Sequence, residues 1–549
     1  MTDKEKSEIG KHNKPAVKRS LFRKIINVFI GIFLGLVLLI LLLVGFTQTK
    51  TFREFLREKV IVLVNQETNG KLNIEKIEGT ILTSLFLRNT SIVVDNDTLL
   101  FARNIVIKTS PLQLLLKKIY IRKILLEDVK IEMLQDQNGE WNFSKFIKPK
   151  PEDTAKTSFP LMIQANDVQL HNIGFIRKSY SNLLRLSRVG VPEPEKIYPE
   201  LNLDDLRINN LYLAAQVFID INNSNYLLML KELSFKPNLS NFTLRNFSGE
   251  FAITKKFAGI SNFYFLSDSS ELKINARIDN LNLFEGVQLE NLKNYPIVFN
   301  AEAKPFNFDD LSSFIGSTEI LKGSPSIELK AHGTFGSLMI DKIDVDYRDT
   351  HIEAGGKILN LDSPKNLTIQ AKIKDTNINY KDINALLPTL KLPEYAKLQL
   401  TDVHLEFEGL PTNFRTKFTG NVDDGKLTFE SAMNLAVDPM VYNIKFETEN
   451  LNLFPIININ TKLNSEGTLT GKGVSPADLA ANLKFNIGES SIAGYTIDKL
   501  DVSSQAADRK IDLKIEAGSE KLGAFITGNM SFDKDTIPSY NFAGRLKNL

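Results

Sequence analysis

Along most of this chain apolar and polar residues take turns. In "SIELKAHG", Ile327, Leu329 and Ala331 alternate with Glu328, Lys330 and His332. In "LTIQAKIK", Leu367, Ile369, Ala371 and Ile373 alternate with Thr368, Gln370, Lys372 and Lys374. Val403, Leu405 and Phe407 alternate with His404, Glu406 and Glu408, and Ile511, Leu513 and Ile515 with Asp512, Lys514 and Glu516. A period of two belongs to strands with one dry and one wet face. Turn residues punctuate the pattern at Asn222–Asn225, Gly355–Gly356 and Asp424–Gly425. The spacing predicts antiparallel hairpins, because the crossover helices of a parallel sheet are missing. Short helices are predicted over Ser110–Lys117, Phe308–Gly316, Asp382–Leu390 and Ser475–Leu483. In the first and last of these, serine before proline supplies an N-cap and a first helical residue.

The pattern breaks near the start. Ile25–Phe46 is apolar throughout except for Asn27. As a helix it reaches about 33 Å, enough for a bilayer core of roughly 30 Å. A cleaved signal would have a shorter apolar run and a small-x-small site, so a retained anchor is predicted, carried by Ile25, Val28, Phe29, Leu34, Leu38, Leu42 and Phe46. Eight Lys/Arg precede the run and four follow it within the same distance, so the N-terminus is predicted to be cytoplasmic. Phe52, Phe55, Leu56, Val60 and Leu63 then recur at helical spacing.

These shifts divide the chain into a basic tail (1–24), the membrane helix (25–46), an amphipathic helix (47–66), a first β region (67–147), a proline-rich linker (148–160) and a long repeating β region (161–549). "DNLNLF" (Asp279–Phe284) returns as "ENLNLF" (Glu449–Phe454), with looser echoes at Asp375–Tyr380 and Lys304–Leu311. The unequal spacing marks a degenerate module. So much one-sided sheet with so few helices leaves two architectures open. Two sheets cover each other in a sandwich, or one sheet curls into a trough filled by something else.

Composition removes several kinds of chemistry. There is no cysteine, which excludes disulfides, thiolate catalysis and cysteine–zinc sites. Net charge is +2; residues 1–24 carry +5, which leaves −3 on the rest. A slightly acidic body argues against a nucleic-acid partner. No nucleophile elbow, zinc-protease, P-loop or dinucleotide motif is present. "GTLTGKGVS" (Gly467–Ser475) is read as turn chemistry. The five histidines are scattered, and Asp309–Asp310 and Asp423–Asp424 fall at turns. The expectation is therefore a non-enzyme without metal or cofactor.

The single tryptophan, Trp141, follows an Asn138–Gly139 pair. Asn-Gly between strand-like runs predicts a type I′ hairpin, with Trp141 as its buried structural anchor.

With anchor, strands and tryptophan turn together, the chain resembles the AsmA-like family, most closely its TamB branch. The likeness is densest in Leu63–Val93 ("LVNQETNGKLNIEKIEGTILTSLFLRNTSIV"), Ser110–Phe143 ("SPLQLLLKKIYIRKILLEDVKIEMLQDQNGEWNF") and Phe159–Ser179. Beyond residue 200 it is one of style, best at Gly467–Ile497. The resemblance implies a mainly β protein. One transmembrane helix of the inner membrane of a double-membraned bacterium would carry a long antiparallel sheet curled into a U-shaped, taco-like groove in the periplasm. It implies that phospholipid acyl chains run in that groove, lined by Ile327, Leu329, Ile369, Ile373, Val403, Leu405, Phe407, Ile511, Leu513 and Ile515. It also implies an outer-membrane barrel of the Omp85 class (TamA-like) as partner. Two alternatives stand beside the conduit: a scaffold for outer-membrane protein assembly, and a structural β-sandwich. TamB proteins are much longer and end in a characteristic domain; this chain ends inside the strand pattern, at "NFAGRLKNL".

Overall fold

The computed structural model describes residues 18–80, 83–110, 113, 118–146, 148, 162–179, 196–285, 293–315, 320–390, 397–518, 522–534 and 537–548. Helix α1 (Lys18–Thr47) contains the segment Ile26–Thr47, long and apolar enough to cross a membrane. Val28, Phe29, Leu34, Leu38, Leu42 and Phe46 are all exposed on it, and Ile25 lies one residue before that segment. Helix α2 (Lys50–Glu67) starts at Thr49, whose hydroxyl accepts from the Phe52 amide. Its Val60, Ile61 and Val64 pack on Leu72, Ile74, Ile77, Leu85, Leu87 and Ile92 of the first two strands.

Everything after α2 is organised by one sheet of 27 strands, from β1 (Lys71–Thr80) to β27 (Ile537–Asn548). Nearly every strand bonds to the strands before and after it in sequence. The exception at the C-terminal end is a small hairpin, β22 (Ser490–Ile492) and β23 (Tyr495–Ile497). It hangs on the start of β20 (Thr461–Lys472) while β21 (Ala480–Ile487) pairs directly with β24 (Lys499–Ala507). The sheet does not close: β1 and β27 each pair with one strand only. The accessible surface is 35688 Å² for 61.9 kDa. A compact chain of that mass exposes about 20,000 Å². The sheet is thus spread out, with little buried behind it.

Four features differ from the sequence reading. First, β4 (Lys118–Leu134) and β5 (Met162–Lys178) run parallel over their whole length. The segment 135–161 that joins them is long enough for a crossover connection. Second, Asn138–Gly139 turns the chain back so that Trp141 forms an isolated antiparallel bridge with Gln135, but the pairing extends no further. Only Gly139 takes positive φ (85°), and Asp136 closes the loop by accepting from the amides of Asn138 and Glu140 at 2.8 and 3.0 Å. A short helix, α3 (Asn142–Phe146), comes next. Third, Gly355–Gly356 lies inside β14 (Thr350–Leu359), at a register shift. Fourth, Ser475–Asp478 makes one hydrogen-bonded turn and no helix, and Ala480–Ile487 is strand. Local N-cap chemistry is satisfied there by Asp478, while the period-two residues beyond it join the ladder. Most of Ser110–Lys117 and of the linker 148–160 lies outside the described residues.

The repeated asparagine motif has a local cause. The side-chain oxygens of Asn282, Asn307, Asn379 and Asn452 each accept from the amide two residues ahead, at 2.8–3.2 Å. Each is an Asx turn that ends a strand. At Asn307 and Asn379 it caps the helices α4 (Phe308–Ser312) and α5 (Tyr380–Leu386). The two best copies lie on opposite rims of the sheet, because one follows an even-numbered strand and the other an odd-numbered one. The motif sets turns, not a repeating unit of fixed register.

Asn142, not Trp141, is the buried member of the tryptophan region. Its amide donates to the Glu132 carbonyl (2.8 Å) and its oxygen accepts from the Leu134 amide (3.1 Å), so it stands in for a strand backbone against β4. Trp141 is half-buried beneath the Arg177 guanidinium, 4.2 Å from the ring centroid. Asn142→Ala is expected to cost about 2–4 kcal/mol, because two backbone groups lose their partners. Trp141→Ala should cost less than Asn142→Ala, and thermal melting of the two variants gives the order.

Candidate functional site

The ladder register carries one apolar face through the whole sheet. Leu87, Ile105, Leu126, Leu170 and Leu213 are successive partners on β2 (Ser84–Val94), β3 (Asp97–Thr109), β4, β5 and β6 (Asp205–Asp220). Further along, Leu329, Ile343, Ala354, Ile373, Leu405, Phe418, Phe429 and Phe446 form one transverse row. Ile369 and Ile511 belong to a second row, joined through Gly409, Phe414, Met433, Tyr442, Gly471, Ala481 and Ala506. Directly opposed residues of an antiparallel pair point to the same side. The residues named from sequence as groove lining therefore share one face.

Their exposure separates them. Ile327, Leu329, Ile369, Ile373, Leu405, Phe407, Ile511, Leu513 and Ile515 are half-exposed. Val403 is 2% exposed and closed off, with Thr376 as its ladder partner. No acyl chain can reach it without rearrangement. A second sheet packed on this face would bury most of them, yet of these ten residues only Val403 is buried.

Two parts of the face are covered by the chain itself. At the first strands α2 lies on it. Near the rim of β16 (Gln399–Leu410) to β24, Leu398 and Leu453 from two connections and Ile497 from β23 pack over Val422, Leu451, Leu463 and Ile487. On these same strands, further from that rim, aromatic rings floor the surface. Phe418 and Phe429 stack at 4.8 Å, Phe407 and Phe414 at 4.9 Å, and Phe446 and Phe485 meet at 5.6 Å. Gly467 lies between the last two in the ladder, and a Cβ there would overlap the Phe446 ring. Gly528 stands in the same relation to Phe542. These glycines let rings lie across the strands. The sequence reading assigned Gly467–Ser475 to a turn, but Gly467 to Lys472 is strand. The pairing of glycine with ring is visible only once the register aligns them.

The other face is charged. Lys372, Glu406, Lys417, Glu430 and Lys445 are successive ladder partners of alternating sign. Lys372 meets Glu406 at 2.8 Å and holds its carboxyl below the ordinary value. Lys330 and Lys342 hold Glu328 down to about 2. Such pairs fix register and keep this face in water; exposed ion pairs contribute little to stability. Asp344, Asp346 and His351 bring three possible metal ligands within 4.8 Å on this face. Lys342 already pairs with Asp344 at 2.9 Å, and His351 with Asp346 at 2.7 Å. Asp309 and Asp310 sit in the first turn of α4, where the buried Asp310 accepts from Ser267. His332 and His404 are exposed, beside Asp341 and Asp402.

In comparison with known proteins, the chain matches no family model, no curated protein and no solved structure.

Proposed function

We propose that this protein is a membrane-anchored lipid conduit. The observation that carries the reading is the apolar face itself: continuous across the sheet, half-exposed, and opposite a face of paired charges. Lipid tails would lie along it, with the sheet curled into an open trough, at roughly 25 cal/mol per Å² of apolar surface removed from water. Head groups would stay at the open side. By the positive-inside rule the basic tail favours a cytoplasmic N-terminus, and the sheet would then extend across the periplasm toward an outer membrane. The transport needs no catalytic group. The AsmA-like resemblance points the same way.

The test uses a photo-crosslinking residue. At Phe407 it is expected to capture phospholipid in cells; at Glu406, one residue away on the charged face, it is not. Equal capture at both positions, or at neither, would sink the conduit.

A second reading, assembly of outer-membrane β-proteins by strand addition, draws on β27. Among the described residues β27 pairs only with the strand before it, and Tyr540 and Leu546 are largely exposed on it. Open edges accept further strands. An Omp85-class barrel would then be the partner. Crosslinks from β27 to a barrel strand, without lipid at Phe407, would favour this reading.

A further inference from the structure

Helix α2 has two apolar sides, and only one is used. Val60, Ile61 and Val64 face the sheet. Phe55, Val62 and Leu63 face away and are 54%, 48% and 60% exposed. They recur at helical spacing and form one stripe with Lys59, whose ammonium lies 5.6 Å from the Phe55 ring centroid. Monomeric proteins seldom leave such a stripe in water.

Its occupant is fixed by position. The apolar segment of α1 ends at Thr47 and α2 begins at Lys50, so α2 starts within one turn of the bilayer surface. Phe46 and Phe52 touch edge to face at 5.4 Å, and the Thr47 and Thr80 hydroxyls meet at 3.3 Å. The end of β1 is therefore pinned to the foot of α1. The helix carries Lys50, Arg53, Arg57 and Lys59 against Glu54, Glu58 and Glu67, with Arg57 paired to Glu54 at 2.9 Å; Lys59 is the cation beside the stripe. An amphipathic helix with this make-up lies in the headgroup layer.

We propose that the Phe55–Val62–Leu63 stripe is a membrane-docking surface. It is seated in the leaflet where α1 emerges, so that α2 is wedged between lipid and the first strands. This rests on α1 spanning the membrane, and not on lipid transport.

The chain has no cysteine, so single-cysteine nitroxide labels are unique. Labels at Phe55, Leu63, Leu38 and Asp97, exposed at the start of β3, would be compared in the full chain. The vesicles would be phosphatidylcholine and phosphatidylglycerol at three to one. At Phe55 and Leu63 the ratio of oxygen to nickel-chelate accessibility is expected to be about threefold above that at Asp97. Leu38 should report the bilayer interior. Phe55 and Leu63 as wet as Asp97, with Leu38 immersed, would overturn the docking surface and leave the anchor standing. A wet Leu38 would overturn both. Dipolar broadening at Phe55 and Leu63 would assign the stripe to a second copy and overturn the proposal.

Discussion

Leu405→Asp and Val403→Asp are expected to fail in opposite ways, although the two residues sit two apart on one strand and one face. Leu405 is half-exposed, so its loss removes only part of a side chain's burial, about 1–2 kcal/mol. The new carboxylate hydrates at the open side, and melting shifts little. A charge in the path of the tails should nevertheless abolish phospholipid capture by the probe at Phe407 and weaken the outer-membrane barrier. Val403 is enclosed opposite Thr376, and an aspartate there is a buried charge. That should cost about 3–5 kcal/mol and open the sheet locally. Thermal melting and lipid crosslinking, run on both variants, separate the effects. If Leu405→Asp melts as poorly as Val403→Asp, the face is not open and the trough reading fails.

The second large effect is expected at Gly356. Its φ is +152°, and a Cβ built there would overlap the Gln370 carbonyl oxygen on the neighbouring strand. The obstruction is backbone, so no rotamer change relieves it. Gly356→Val should cost about 2–6 kcal/mol, combining backbone strain with overpacking. Because β14 and β15 (Thr368–Asn379) share the ladder at this point, protection against amide exchange should fall first in those two strands. Unchanged exchange there would mean that the register shift at Gly356 is softer than its geometry implies.

Gly356 also marks where sequence reading stops. The strict alternation at Ile327–Ala331, Ile369–Ile373, Val403–Phe407 and Ile511–Ile515 was legible because one face is dry and the other wet. The two N-terminal helices were legible from an apolar run and from helical spacing. Gly355–Gly356 reads as a turn locally, yet close approach of a neighbouring strand is what demands glycine there. The parallel pairing of β4 with β5 is a long-range choice with no local signature. The exclusion of Val403 depends on what packs above it, which alternation cannot encode. The asparagine echo was visible, but its meaning as a turn device required the hydrogen bonds.

Beyond β5 each strand leans almost only on its neighbours in sequence, and this makes the protein a ruler whose length is set in steps of two. Leu405, Phe418, Phe429 and Phe446 are successive partners. Excising β17 (Asn413–Val422) and β18 (Gly425–Asn434) together would bring Phe446 opposite Leu405, with the same face up and the strand directions still alternating. The span would shorten by about 10 Å, two strand spacings. Excising one strand alone would leave its neighbours pointing the same way, and a tight turn cannot join them. Reach can therefore be tuned by whole hairpins without redesigning the apolar face.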